Sequence, residues 1–272
     1  MRTLAVRAVS AVIAICLLIA TYIFYKEMGL VGACFFAVVI STGEILKILF
    51  HDENSRLAKV IFYICALTVF GISVFAPEYS SVGFAFLCLF FCSVSIFIRG
   101  KFSDLADLVL YQAKGVLGFF YVGLLPALAC RILYLPNGIV WFCAMLGIVF
   151  AGDTFAYLTG MMFGKNKLMP TISPKKTIEG SLGGLVGSMI AGLCASFYLP
   201  HVNVIGLLGL AIVVGAFAQI GDLFESLLKR VANKKDSGSL MPGHGGILDR
   251  IDGVLFATPI MLAGAIFLEK LF

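Results

Sequence analysis

Apolar residues in this chain come in blocks about 20 long, separated by short charged stretches. That is the length at which an α-helix crosses the hydrocarbon core of a bilayer. No water is available there to satisfy backbone N–H and C=O groups, so each block must bond them internally as a helix. The expected fold class is therefore an all-α polytopic integral membrane protein. Nine transmembrane helices are expected, at about 5–25, 28–49, 58–75, 81–98, 115–134, 137–159, 181–200, 203–221 and 251–269. The composition agrees. The 272 residues are 61% hydrophobic and 13% charged, whereas soluble domains carry about 25% charged residues. A cleaved signal peptide is not expected, because the block 8–25 is longer than a signal core and lacks a small-x-small site. The segment 101–115 is too polar to span. Ser103 or Asp104 is expected to cap a short helix there, lying along the interface.

Nine spans put the termini on opposite sides, and the basic residues then sort unevenly. Sixteen of the 20 Lys and Arg fall on the N-terminal side, against Lys26, Arg131 and Lys270 on the other. Lys47, near the end of the second span, completes the set. This bias places the N-terminus in the cytoplasm. The net charge of +5 is then concentrated on one face, which suits anionic lipid head groups and phosphates. The eight Cys all lie in apolar blocks and none forms a CxxC, so they are expected to be small packing residues.

The halves differ. Residues 1–135 form an N-terminal spanning region of about five helices. It has few special residues. Glu44 and Lys47 are placed to pair locally, and His51 lies in a solvated loop. Residues 136–272 form a second region of about four helices with cytoplasmic loops at 160–181 and 221–250. His201 falls in a solvated turn on its far side. No internal repeat is found, which counts against a transporter built from inverted halves.

Three polar clusters mark the second half. Asp153 follows a mostly apolar run, and a carboxylate inside a span is expensive unless it faces a cavity or a cation. In the stretch "FGKNKLMPTISPKKTIEGSLGG" (163–184), Ser-Pro-Lys-Lys-Thr reads as a rigid turn ending at a helix start, with Glu179 near the first turn. Its free backbone N–H groups, with Lys175 and Lys176, would suit a phosphate. Gly183 and Gly187 then stand in GxxxG spacing, which predicts close helix packing. The third cluster is 221–253. Asp222 and Glu225 are spaced i,i+3, and so are Asp249 and Asp252, so each pair shares a helix face. Paired carboxylates beside Lys229, Arg230, Lys234, Lys235 and Arg250 form the pattern of an oxygen-ligand Mg²⁺ site. Pro242, Gly243, Gly245 and Gly246 permit a tight turn whose N–H groups could point at an anion, with His244 inside it. Carboxylates, a hard cation, basic side chains and a Gly turn together describe phosphoryl or nucleotidyl transfer. At a membrane surface, one substrate would be a lipid.

The stretch "SLLKRVANKKDSGSLMPGHGGILDRID" (226–252) resembles the signature of the phosphatidate cytidylyltransferase family. It carries Ser226, the Lys229-Arg230 pair, the Lys235-Asp236 pair, Pro-Gly-His-Gly-Gly and Asp249-Arg250-x-Asp252 without a gap. Met241 stands where Leu, Ile or Phe is usual, a conservative departure. "DTFAYLTG" and "FGKNKLMPTISPKKTIEG" also resemble blocks of that family, so the specific likeness covers about residues 150–260.

The resemblance implies that CTP and phosphatidate react to CDP-diacylglycerol and pyrophosphate, with Mg²⁺ and a second, monovalent cation, K⁺. Carried over by position, Asp222 and Asp249 are the expected metal ligands, supported by Asp252 and Asp153. Lys175, Lys176, Lys229, Arg230, Lys235 and Arg250 would hold phosphates. Ser173, Thr177, Ser226, Asp236, Gly245 and Gly246 complete the expected substrate site. The catalytic set is Asp222, Asp249, Lys229, Arg230 and His244. His244 is assigned hydrogen bonding or loop structure, because an anionic phosphate nucleophile does not require a general base. Expected partners are CTP, phosphatidate and membrane lipids, with a second copy of the chain as a further one and no nucleic acid. The expected location is the cell's inner (plasma) membrane, with the site facing the cytoplasm. Two other readings fit less of the pattern: a CTP-dependent polyprenol or phytol kinase, and an anion transporter.

Overall fold

The structure, a computed structural model, describes residues 2–50, 55–98, 100, 102, 104–240 and 245–270, with side chains from residue 16 onward. Among the described residues, eight helices are long and apolar enough to cross a membrane. The chain divides into two compact units. The first is Met1–Cys130 with Ala232–Arg250, and the second is Arg131–Val231 with Ile251–Phe272.

The first unit begins with α1 (Arg2–Leu49), which runs through both of the first two expected spans. A single residue breaks it: Lys26, at φ 53 and ψ −139, in a conformation that L-residues avoid. The boundary expected at 25–28 is thus a sharp break, with no loop. Helix α2 (Arg56–Phe75) starts at Ser55, whose hydroxyl accepts from Ala58 N, and α3 (Ser80–Phe97) follows. Helix α4 (Leu105–Gly118) starts at Asp104, whose carboxylate accepts from Asp107 N at 2.8 Å. Asp104 is the expected cap. The helix it starts is no separate surface helix, however. It continues through a wide turn at Phe119–Leu124 into α5 (Leu125–Ile132), and the run Leu105–Ile132 is long enough to span. The reason is its inner face: Leu108, Tyr111, Gly115 and Gly118 are all buried. Rings of Phe50, Phe62, Phe91, Tyr111 and Phe119 fill this unit's core, with centroids 4.9 to 5.4 Å apart, within the range favoured by aromatic pairs.

The second unit contains α6 (Gly138–Phe163), a hairpin of β1 (Lys167–Met169) and β2 (Ser173–Thr177), α7 (Ile178–Ser196), α8 (Val204–Val231) and most of α9 (Leu248–Lys270). Helices α6 and α7 are in intimate contact along small residues. A Cβ on Gly187 would lie 2.7 Å from the carbonyl oxygen of Ala151, and one on Gly183 would overlap the Thr159 side chain. The close packing expected from GxxxG spacing is therefore present. Ser188 Oγ crosses the seam to donate to Ile148 O at 3.1 Å.

The "SPKKT" stretch differs from expectation. It is the second strand of the antiparallel hairpin, with Lys167 paired to Thr177 and Met169 to Ser173. A two-stranded hairpin has only edges, so Pro174 removes no essential ladder bond. Glu179 then clamps the end of α6 to the start of α7, accepting from Lys165 N at 3.1 Å and from Asn166 Nδ2 at 2.8 Å. At the other end of α6, Trp141 Nε1 donates to Glu269 Oε1 at 2.7 Å, and His201 Nε2 lies 3.2 Å from Glu269 Oε2. His201 is exposed, as expected for its turn, and has this protein partner as well. The Cys residues are free thiols; Cys65 and Cys130 are buried, as expected of packing residues, whereas Cys16, Cys143 and Cys194 are exposed.

Candidate functional site

In the second unit, α8 carries the polar machinery at the end of an apolar run. Its last third bears Asp222, Glu225, Ser226, Lys229 and Arg230. Lys176, from β2, places its ammonium 2.7 Å from Asp222 Oδ2 and 3.5 Å from Gln219 O. Ser226 Oγ donates to the other Asp222 oxygen at 3.3 Å. Glu225 is buried, with Lys229 Nζ 2.5 Å from its Oε2. Asp252, on α9, lies near enough to Asp222 and Glu225 for the three carboxylates to repel one another. The helices touch here: a Cβ on Gly221 would lie 2.6 Å from Asp252 O. Three carboxylates and two ammonium groups thus gather where α8 meets β2 and α9.

The hairpin is fixed to α8 as well as to α7. Arg230 Nε donates to Ile172 O at 3.2 Å. Gln219 Nε2 donates to Ser181 O at 3.1 Å, and Ser181 Oγ donates to Gln219 Oε1. Thr177 is buried and caps α7, accepting from Gly180 N at 3.1 Å. Its hydroxyl therefore serves the helix start. Ser173 is half-buried, Lys175 is exposed, and Asp153 is exposed on α6.

In the first unit, the segment before α9 is gathered around two carboxylates. Asp249 Oδ2 accepts from Ser237 N at 2.9 Å, Ser237 Oγ at 2.8 Å and Gly246 N at 2.8 Å. Gly245 adopts φ 82, where a Cβ would also strike Asp249 Oδ2, so glycine is required there. Glu44, from α1, accepts from Ile247 N at 3.1 Å and Leu248 N at 2.8 Å. The N–H groups of Gly246, Ile247 and Leu248 thus point at the protein's own carboxylates. Lys234 Nζ donates to Lys47 O at 2.7 Å. Lys235, Asp236 and Arg250 are exposed. His244, with Met241, Pro242 and Gly243, lies outside the described residues, as does His51.

Among the described residues, no three His, Cys, Asp or Glu side chains are positioned to hold a metal ion. The donor chemistry nevertheless fits magnesium, which takes oxygen ligands and is commonly held by one or two carboxylates plus substrate phosphates. Lys176 and Lys229 supply the positive charge beside Asp222 and Glu225 in this conformation.

A profile described as "Cytidylyltransferase family" matches residues 5–267. The chain belongs to the cytidylyltransferase family. The match includes both units and every described residue of the two clusters. The phosphatidate cytidylyltransferase of Staphylococcus aureus (strain COL) is 50% identical over 115 residues, 42% of this chain and 44% of that protein. Those of Staphylococcus haemolyticus (strain JCSC1435) and Staphylococcus epidermidis (strain ATCC 12228) are each 40% identical over 164 residues, 60% of either chain. The aligned part thus spans less than two thirds of each relative's length.

Glu44 is the residue of this region whose role its sequence neighbours conceal. Its partner is not Lys47 at i+3 but the backbone of residues 247 and 248. The signal was present: Glu44 is the sole acidic residue of the second expected span, 28–49, and a carboxylate there is as costly as Asp153 in its own span.

Proposed function

We propose that the protein transfers the cytidylyl group of CTP to phosphatidate, releasing pyrophosphate and forming CDP-diacylglycerol. The observation that carries this reading is the carboxylate–ammonium cluster of Asp222, Glu225, Asp252, Lys176 and Lys229 at the end of an apolar helix. Such a cluster suits two polyanionic substrates, one soluble and one held in the bilayer. The names and identities of the Staphylococcus relatives support the same choice of substrates.

In this reading, a phosphatidate phosphate oxygen attacks the α-phosphorus of CTP. A new P–O bond forms, the α–β phosphoanhydride bond breaks, and its electron pair leaves with pyrophosphate. Magnesium, held by Asp222 and Asp252, would neutralise charge on the phosphates; Asp249 and Asp153 are the further candidate ligands, and K⁺ the second cation. Lys176 exchanges its Asp222 partner for a substrate phosphate. Lys175, exposed on the same strand as Lys176, is the further cation proposed for these anions, and Lys235 and Arg250, exposed in the first unit, remain candidates for substrate phosphates. Arg230 holds the hairpin that presents Lys176. The site faces the cytoplasm of the inner membrane, where CTP is available, and a homodimer is the assembly proposed.

The test is the purified protein in detergent with phosphatidate, Mg²⁺ and CTP labelled at the α-phosphate. Label is expected in the lipid. Soluble α-label with γ-label entering lipid would replace this reading by a lipid kinase.

A further inference from the structure

We infer that Glu44 is a positioning residue for the turn that leads into α9, so that the N-terminal unit takes part in the reaction as well as in anchoring the chain. This inference rests on the proposed cytidylyl transfer for its kinetic consequence, though not for its structural one.

Three observations converge on Glu44. It is buried, at 5% exposure, on α1. Both carboxylate oxygens are engaged by residues some two hundred positions later: Oε1 by Ile247 N, and Oε2 by Leu248 N and by Ser237 Oγ at 3.3 Å. Glycine backbones close around it. A Cβ on Gly238 would lie 2.3 Å from Oε1, and one on Gly246 would lie 2.4 Å from the same atom. The carboxylate thus caps the first turn of α9, where unsatisfied N–H groups and the helix dipole favour a negative charge.

Ser237 joins this cap to the second one. Its hydroxyl lies 2.8 Å from Asp249 Oδ2 and 3.3 Å from Glu44 Oε2. One hydroxyl has one proton, so it donates to one carboxylate at a time. The two anions hold both ends of the 237–249 segment through a shared side chain. Glu44 also lines a cleft of about 500 Å³ with Lys47, Tyr63 and Ser239. Loss of its charge would release the segment that carries Lys235, Asp236 and Asp249.

Glu44→Gln keeps the shape but places an amide NH₂ against backbone donors, and Glu44→Ala removes the acceptor altogether. For both variants we would measure kcat and KM for each substrate, and amide hydrogen exchange in peptides covering 232–240 and 245–250. The expected result is faster exchange in those peptides, with α2 unchanged. The KM for CTP should rise roughly ten- to hundredfold, as for loss of one or two charge-assisted hydrogen bonds, while that for phosphatidate stays within about twofold. Glu44→Asp, too short to reach, should not rescue. Wild-type exchange and wild-type KM in Glu44→Gln would overturn the inference. So would unfolding of α2 in both variants, which would make Glu44 a residue of the fold alone. If the wild-type chain makes no labelled lipid, the proposed reaction fails, while the exchange measurement still decides the positioning.

Discussion

Replacing Gly187 by Ala adds one methyl group within the α6–α7 seam. That Cβ would meet Ala151 O and Phe155 Cβ at 2.7 Å each, and Phe155 Cγ at 2.8 Å. Comfortable carbon contacts lie near 3.5–4.0 Å, so the helices must part by roughly 0.8 Å or more. Neither obstacle is the far end of a flexible side chain. Parting also stretches the Ser188–Ile148 bond, already 3.1 Å long. Overpacking of this kind costs about 1–3 kcal/mol, offset by up to ~1 kcal/mol from the better helix propensity of Ala. Gly147, also on α6, has nothing within 4 Å of its would-be Cβ. Gly147→Ala therefore takes the propensity gain without the clash. The two variants should differ by about 1–3 kcal/mol, or several degrees in thermal midpoint, measured on detergent-solubilised protein. Activity of Gly187→Ala should fall further than stability alone requires, because α7 begins directly after the strand that carries Lys176. Equal midpoints for the two variants would refute the packing argument.

Asp249→Asn should abolish turnover while the protein still inserts and folds, because an amide oxygen can still accept from Ser237 and Gly246; near-normal activity would remove Asp249 from the cation and phosphate chemistry. Asp222→Asn is expected to lower kcat/KM by roughly a hundredfold or more, and steady-state kinetics matching the wild type would show that its pairing with Lys176 is structural only. Chelation of Mg²⁺ should stop label transfer, with recovery on adding Mg²⁺ back; transfer persisting in excess chelator would rule out the magnesium assignment. Thr177→Ala removes the α7 cap and should cost about 1 kcal/mol, a drop that thermal unfolding would reveal and whose absence would mean another group caps the helix.

Local features were legible in the sequence. The apolar blocks predict helices because bilayer thickness and helix rise leave little choice of length. Asp104 and the Gly183–Gly187 spacing were readable for the same reason: a cap and a small-residue seam act within one or two turns. The β1–β2 hairpin was not, since strands of three and five residues are too short to show a period, and Pro and Lys lean toward a turn. The carboxylate pair on α8 was readable from i,i+3 spacing, but its pairing with Lys176 crosses from another element. Glu44 was harder still. Its nearest basic residue in sequence is a decoy, and its actual partners are backbone N–H groups, which every residue possesses and no composition reveals.

The first unit is completed by a segment that is made late. Glu44 leaves the ribosome about two hundred residues ahead of Leu248, whose amide it accepts. At 5–20 residues per second, that is a wait of roughly 10–40 s. Throughout it, a carboxylate on an apolar helix has none of its eventual donors and must be served by water or lipid head groups. The C-terminal end of α1, which carries Glu44, depends on that solvation until residues 237, 247 and 248 arrive to replace it. Biogenesis of the N-terminal half thus finishes only when the C-terminal half is nearly complete. A ribosome halted before residue 237 would leave a chain whose first helices are inserted but whose first unit is not yet folded.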